Sequence, residues 1–92
     1  MEIKKSALAG SMESNDAMVM IEPGDGEIDI LVESVVARQF GKHIERAVRE
    51  VLAQFEVTDA RVIVRDKGAV ECTLKARCET AILRSQKEAA DA

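Results

Sequence analysis

Residues 28–55, IDILVESVVARQFGKHIERAVREVLAQF, change their hydrophobic period part-way along, and that change decides the fold class. In the first part Ile28, Ile30 and Val32 alternate with Asp29, Leu31 and Glu33, the period of a half-buried strand. From Val35 onward, Val36, Phe40, Ile44, Ala47, Val48, Val51, Leu52 and Phe55 recur at spacings of three and four, which draws one apolar stripe along a helix. Arg38, Lys42, Glu45, Arg46, Arg49 and Glu50 fall on its other face, with Glu45–Arg49 and Arg46–Glu50 as opposite charges four apart. Ser34, ahead of the run, has the side chain of a helix N-cap, whose hydroxyl accepts a backbone amide and contributes about 1 kcal/mol. A strand that feeds a long helix excludes an all-helical bundle.

Upstream, residues 6–13 and 16–22 are two short runs of small and aliphatic residues on either side of Ser14-Asn15. Asn tolerates the left-handed backbone of a tight turn and Ser can satisfy turn amides, so the segment predicts a β-hairpin with Ser14 at its tip. Pro23-Gly24-Asp25-Gly26 is the strongest breaker signal in the chain and predicts a loop. Downstream, residues 60–65 predict a fourth strand and Asp66-Lys67-Gly68 a tight turn. Val70, Cys72, Leu74 and Ala76 then alternate with Glu71, Thr73, Lys75 and Arg77, which favours a second hairpin followed by a short helix over 78–84. The same region also satisfies a helical spacing through Val70, Leu74, Cys78 and Ile82, so one continuous helix stays open. The expectation is a small single α+β domain over residues 1–85. Its antiparallel sheet of two hairpins plus one strand packs on one long helix, with a short C-terminal helix and a frayed polar tail over 86–92.

The chain has 92 residues, 47% hydrophobic and 33% charged, which suits one compact domain and leaves no room for a second. Phe40 and Phe55 are the only aromatics, so the core must be aliphatic and base stacking is hard to build. A net charge of −4 disfavours a phosphate backbone as partner, so no nucleic acid is expected. No apolar run approaches the roughly 20 residues that span a bilayer, and the start MEIKK lacks a secretory signal, so a cytoplasmic protein without membrane contact is expected.

Catalytic sets are absent from the pattern. Cys72, Cys78 and the single His43 do not make a zinc set at a recognised spacing. His43, beside the apolar stripe, reads as a boundary residue. Cys72 alternates into the expected second hairpin, so a buried structural thiol is predicted for it and similarly for Cys78. Met12, Met18 and Met20 read as core filling in the first hairpin rather than as a partner groove. The glycines of the 23–26 loop lack the strand–G-x-G-x-x-G–helix context of a dinucleotide cradle. Ser14 differs from Ser34 in having no structural task beyond the turn. With no base beside it, it cannot attack a substrate unaided, and any function there is as an attachment point.

The stretch Ala9-Gly10-Ser11-Met12-Glu13-Ser14-Asn15-Asp16 resembles the N-terminal signature of the citrate lyase acyl carrier protein family, the gamma subunit of that complex. Met18-Val19-Met20-Ile21-Glu22-Pro23, Ile28-Asp29-Ile30, Gln39-Phe40-Gly41, Asp66-Lys67-Gly68-Ala69-Val70-Glu71-Cys72 and Lys75-Ala76-Arg77 resemble further family segments in family order. Asn15 stands where many members have Gly, and the tail after Ser85 is unlike the family. The resemblance implies that Ser14, flanked by Glu13, Asn15 and Asp16, carries a 2′-(5″-phosphoribosyl)-3′-dephospho-coenzyme A group through a phosphodiester, installed by a dedicated transferase. It implies alpha and beta subunits as partners: the alpha subunit exchanges the thiol's acetyl for citryl, and the beta subunit cleaves citryl thioester to oxaloacetate and acetyl thioester. Glu13 and Asp16 would keep the arm in solvent and orient basic partner surfaces. The carrier of malonate decarboxylase shares this prosthetic chemistry but lacks the Glu-Ser-Asn-Asp context. An unmodified small binding module, using the Met-rich hairpin or the charged helix face, is the rival reading from another class.

Overall fold

The computed structural model describes residues 1–34 and 37–86. Strands β1 (Ala7–Gly10), β2 (Ala17–Glu22), β3 (Ile28–Ser34) and β4 (Ala60–Asp66) form one mixed sheet in the order β1-β2-β4-β3. Helix α1 (Ala37–Gln54) joins β3 to β4, and α2 (Glu71–Arg84) follows β4. β1 and β2 are the predicted hairpin, paired Ala7 with Ile21 through Gly10 with Met18. β2 also pairs antiparallel with β4, whereas β3 pairs with β4 in parallel, from Ile28–Ala60 to Ser34–Asp66. A parallel pair needs a crossover, and α1 supplies it.

Period-2 patterning puts Ala9, Ala17, Val19, Ile21, Ala60, Val62 and Val64 on one face of the sheet, all buried. Ile44, Ala47, Val48, Val51 and Leu52 of α1 and Leu74, Cys78, Ala81 and Ile82 of α2 close over them, so the domain is two layers around one aliphatic core. Near the chain's first residues the Met1 amino group donates to Glu56 O at 2.6 Å. The loop over 23–27 is anchored by Asp59, whose Oδ1 accepts Gly26 N–H at 2.9 Å.

The single α+β domain, the first hairpin, the third and fourth strands and the long helix stand as expected. The second hairpin does not: residues 71–84 are one helix, and the sheet is mixed rather than antiparallel. The reason lies in β4, whose two edges are already taken by β2 and β3, leaving no ladder for a strand after Gly68. Glu71, Leu74, Lys75, Ala76 and Arg77 are good helix formers, and Leu74, Cys78, Ala81, Ile82 and Ser85 make the buried stripe. Cys72 consequently points to solvent, not into a core.

Two smaller expectations also change. Phe40 is 50% exposed, because among the described residues of α1 the first buried one is Ile44; helical spacing defines a face but not how far the opposing layer extends. Ser34 is the last residue of β3, and its Oγ donates to Oδ2 of the neighbouring Asp66 at 2.8 Å; the helix start that it was expected to cap lies outside the described residues. Met18 and Met20 are half-buried on the sheet face away from the helices, and Met12 is exposed, so none fills the core. Val36 and the tail beyond Gln86 lie outside the described residues.

Candidate functional site: the hairpin tip

Four residues turn the chain between β1 and β2. Asp16 N–H donates to Glu13 O at 3.1 Å, and Asn15 holds φ +67°. A turn with positive φ at its third position takes Gly or Asn there, which explains Asn15 and leaves Ser14 at the second position. Ser14 is exposed, as is Glu13. The chain enters this turn through Gly10, at φ +96°, where a Cβ would lie 1.8 Å from Ala17 O. Only glycine fits, and Ser11 N–H is thereby brought to Ala17 O at 3.2 Å.

The tip is pinned from two sides. Asn15 N–H donates to Lys67 O at 2.8 Å and Lys67 N–H donates to Asp16 O at 2.9 Å, tying the turn to the loop that leaves β4. From the helix layer, Arg77 of α2 donates Nε to Asp16 Oδ1 at 2.9 Å and its terminal NH2 to Oδ2 at 3.2 Å. The same carboxylate accepts Ser11 Oγ–H at 2.6 Å and Ala17 N–H at 2.7 Å. The Arg77 guanidinium, with Ser11 and Ala17 adding to it, holds the Asp16 carboxyl far below the usual carboxylate range. Asp66, buried at 4% exposure, does similar work beneath: Oδ1 accepts Ala69 N–H at 2.9 Å while Oδ2 takes Ser34.

Sequence reasoning places Glu13, Ser14, Asn15 and Asp16 together, and the structure separates their tasks. Asn15 shapes the turn, Asp16 fastens it, and Glu13 and Ser14 are left facing solvent. What the sequence did not reveal is the fastening set of Gly10, Ser11, Lys67 and Arg77. Asp16–Arg77 spans 61 residues, beyond any local pattern, although Arg77 lay within a segment already singled out by resemblance.

The other candidates are structural. His43 Nε2 lies 2.7 Å from Glu71 Oε1, and Lys75 reaches Glu50 at 2.7 Å and Glu71 at 3.6 Å, a surface clasp between the helices. Glu45–Arg49 forms as spaced, at 3.1 Å, whereas Glu50 turns to Lys75. Burial pushes the Cys78 thiol up to about 12, so it is an inert core group. Among the described residues, no group of three or more His, Cys, Asp or Glu is arranged to hold a metal ion, and no helix is long and apolar enough to cross a membrane.

Ser14 is thus exposed on a turn braced by Lys67 and by the Asp16–Arg77 pair. The family model described as "Malonate decarboxylase delta subunit (MdcD)", of the ACP group, matches residues 4–85. In fold the chain is similar to one from the crystal structure of a Pseudomonas malonate decarboxylase hetero-tetramer, with a TM-score of 0.64 and 20% identity over 92% of this chain and 88% of that one. The family model, which spans most of the chain, defines an acyl carrier protein, here built on a mixed sheet. The citrate lyase acyl carrier protein of Haemophilus influenzae strain PittEE is 51% identical over 96% of this chain and 92% of its own length. Those of Cronobacter sakazakii and Rhodopseudomonas palustris are 49% and 43% identical, over 92% and 96% of this chain and 88% and 91% of their own. The chain belongs to the citrate lyase acyl carrier protein family, and its role is that of a carrier rather than a catalyst.

Proposed function

We propose that this chain is the acyl carrier of a citrate lyase and that Ser14 bears its covalent prosthetic group, phosphoribosyl-dephospho-coenzyme A. The observation that carries the reading is Ser14 itself, exposed at the second position of a turn braced by Lys67 and Arg77. The residues fit such a group: Ser14 is open to solvent, and its neighbour Asn15 is fixed by backbone bonds rather than by side chains that would crowd the hydroxyl. When attached, the group supplies a terminal thiol that carries an acyl chain as a thioester. The protein's own contribution is positional. Asp16 and Asn15 hold the turn so that Ser14 Oγ is offered to a transferase in one geometry, and the small domain keeps the tethered acyl group at high effective concentration near each partner active site.

Partners in this reading are the larger subunits of the lyase, one exchanging acetyl for citryl on the thiol and one cleaving citryl thioester to oxaloacetate, together with the transferase; the cytoplasm is the compartment. Glu13, exposed beside Ser14, supplies the acidic mark that a basic partner surface reads.

The test is the intact mass of the chain made with its transferase, with any adduct localised by fragmentation. An adduct of phosphoribosyl-dephospho-coenzyme A on Ser14, lost in Ser14→Ala while the fold is kept, establishes the reading. An adduct on Ser34 overturns the site, and no adduct with an active transferase overturns the carrier role. The family model and the structural neighbour favour one second reading, the carrier of a malonate decarboxylase. Exchange of the loaded thioester with malonate, and not with citrate, would decide for it.

A further inference from the structure

Both helices pack on one face of the sheet, and the other face is left uncovered among the described residues. That face is built in three rows across the strands. The middle row is apolar, with Leu8, Met20, Ile63 and Leu31 side by side on β1, β2, β4 and β3. Leu8 and Leu31 are 50% and 56% exposed. The row on one side of it carries Glu22, Arg61 and Asp29, and the row on the hairpin-tip side carries Met18, Arg65 and Glu33. Two depressions flank Ile63. One, of about 230 Å³, is bordered by Leu8, Met18, Met20, Ile63 and Arg65. The other, of about 440 Å³, is bordered by Asp29, Leu31, Arg61 and Ile63.

We infer that this face is the interface of a symmetric dimer of the chain, with the two-fold axis running along the strands between β2 and β4. The charges select both the occupant and the axis. Rotation about that axis lays β4 on β2 of the second copy and β3 on its β1, and keeps each row opposite itself. Arg61 then faces Glu22 of the second copy, and Glu22 faces its Arg61. Within one chain these two already lie 3.4 Å apart, so four alternating charges close a ring about the axis and no ion is left unpaired. In the middle row Ile63 meets Met20 and Leu31 meets Leu8, each exposed leucine opposite a depression that the other borders. A two-fold axis across the strands would instead set Arg61 against Arg65 and Asp29 against Glu33, like charge on like.

Four strands about 4.8 Å apart and three rows about 6.8 Å apart cover roughly 400 Å² on each copy. That is the low end for a specific contact, so the dimer forms reversibly as concentration rises. Because the axis follows the strands, both hairpin tips point the same way. The inference is independent of what Ser14 carries.

The test is sedimentation equilibrium of the full, unloaded chain from about 1 µM to about 1 mM. The mass is expected to rise from that of one chain toward that of two. Leu8→Lys and Leu31→Lys, exposed changes whose amide spectra report the retained fold, are expected to stay monomeric throughout. Arg61→Glu is expected to weaken association at least about tenfold, and the swap of Arg61→Glu with Glu22→Arg to restore it. In a Cys72→Ser background, a mixture of Leu8→Cys and Leu31→Cys chains is expected to be joined by a short bismaleimide mainly as the mixed pair. A monomer at every concentration overturns the inference and leaves the face to a different partner. Association that survives both leucine changes overturns it by placing the contact elsewhere, and Leu8→Cys chains joined mainly to themselves overturn the axis.

Discussion

Arg77 holds Asp16 through two hydrogen bonds, Nε to Oδ1 at 2.9 Å and NH2 to Oδ2 at 3.2 Å, across 61 residues of sequence. One residue closes the hairpin turn and the other sits on the second helix, so the pair makes the position of Ser14 a property of the whole fold. Because Arg77 keeps the folded Asp16 carboxyl below its unfolded value of about 3.9, the stabilisation is present above about pH 4 and is lost as pH falls through the folded value. Thermal unfolding of Asp16→Asn is expected to begin lower than the parent's at pH 7, and the gap to narrow steadily on acidification below pH 4. A gap that is constant with pH would show that the carboxylate's charge is irrelevant to the tip.

Gly10 and Gly26 provide a paired test of backbone against space. Both have positive φ, but a Cβ at Gly10 meets Ala17 O at 1.8 Å while one at Gly26 meets nothing within 4 Å. Gly26→Ala is expected to cost about 1 kcal/mol from conformation alone, and Gly10→Ala more than about 3 kcal/mol because β2 must also move. Denaturant midpoints of the two variants measure the difference.

Asn15 at φ +67° tolerates glycine and rejects a branched side chain. Asn15→Gly is expected to change stability by less than about 1 kcal/mol. Asn15→Val is expected to cost about 1–3 kcal/mol and to slow modification of Ser14 as the turn is distorted. Unfolding curves and the rate of mass gain with the transferase read both effects.

The two thiols should behave oppositely. Cys72 is exposed on α2, whereas Cys78 is buried and its thiol is pushed up to about 12. A maleimide added to the folded, unloaded chain is expected to label Cys72 alone, and Cys72→Ser to abolish labelling until denaturant is added.

Core position, not residue size, should rank aliphatic and aromatic truncations. Ile82 is 1% exposed and Phe40 50%. Ile82→Ala is expected to cost about 2–5 kcal/mol, and Phe40→Ala to stay within about 0.5 kcal/mol, by chemical denaturation.

Local periodicity was enough to read the first hairpin, the third and fourth strands and α1, because each shows its pattern within a few residues of itself. It was not enough at residues 70–76, where alternation and helical spacing coexist and the decision falls to partners distant in sequence. β4 accepts β3 in parallel through α1, and once that edge is filled Leu74 and Cys78 can be buried only from a helix. The candidate site divides along the same line. The Ser14-Asn15 turn is written in four adjacent residues, but Lys67 and Arg77, which brace it, come from the far half of the chain. The methionines were misplaced for a related reason: alternation shows that Met18 and Met20 share a face with each other, not which face meets the helices.

The order of the strands also governs what this molecule avoids. β4 is paired on both sides, so the sheet's free borders fall to β1, only four residues long and ending in the Gly10 kink, and to β3, which carries Asp29 and Glu33 outward. A short, bent border and an acidic one are poor templates for strand addition. Copies crowded together have little means of zipping into one another, so the hairpin tip stays open on a sheet whose borders do not adhere to their neighbours.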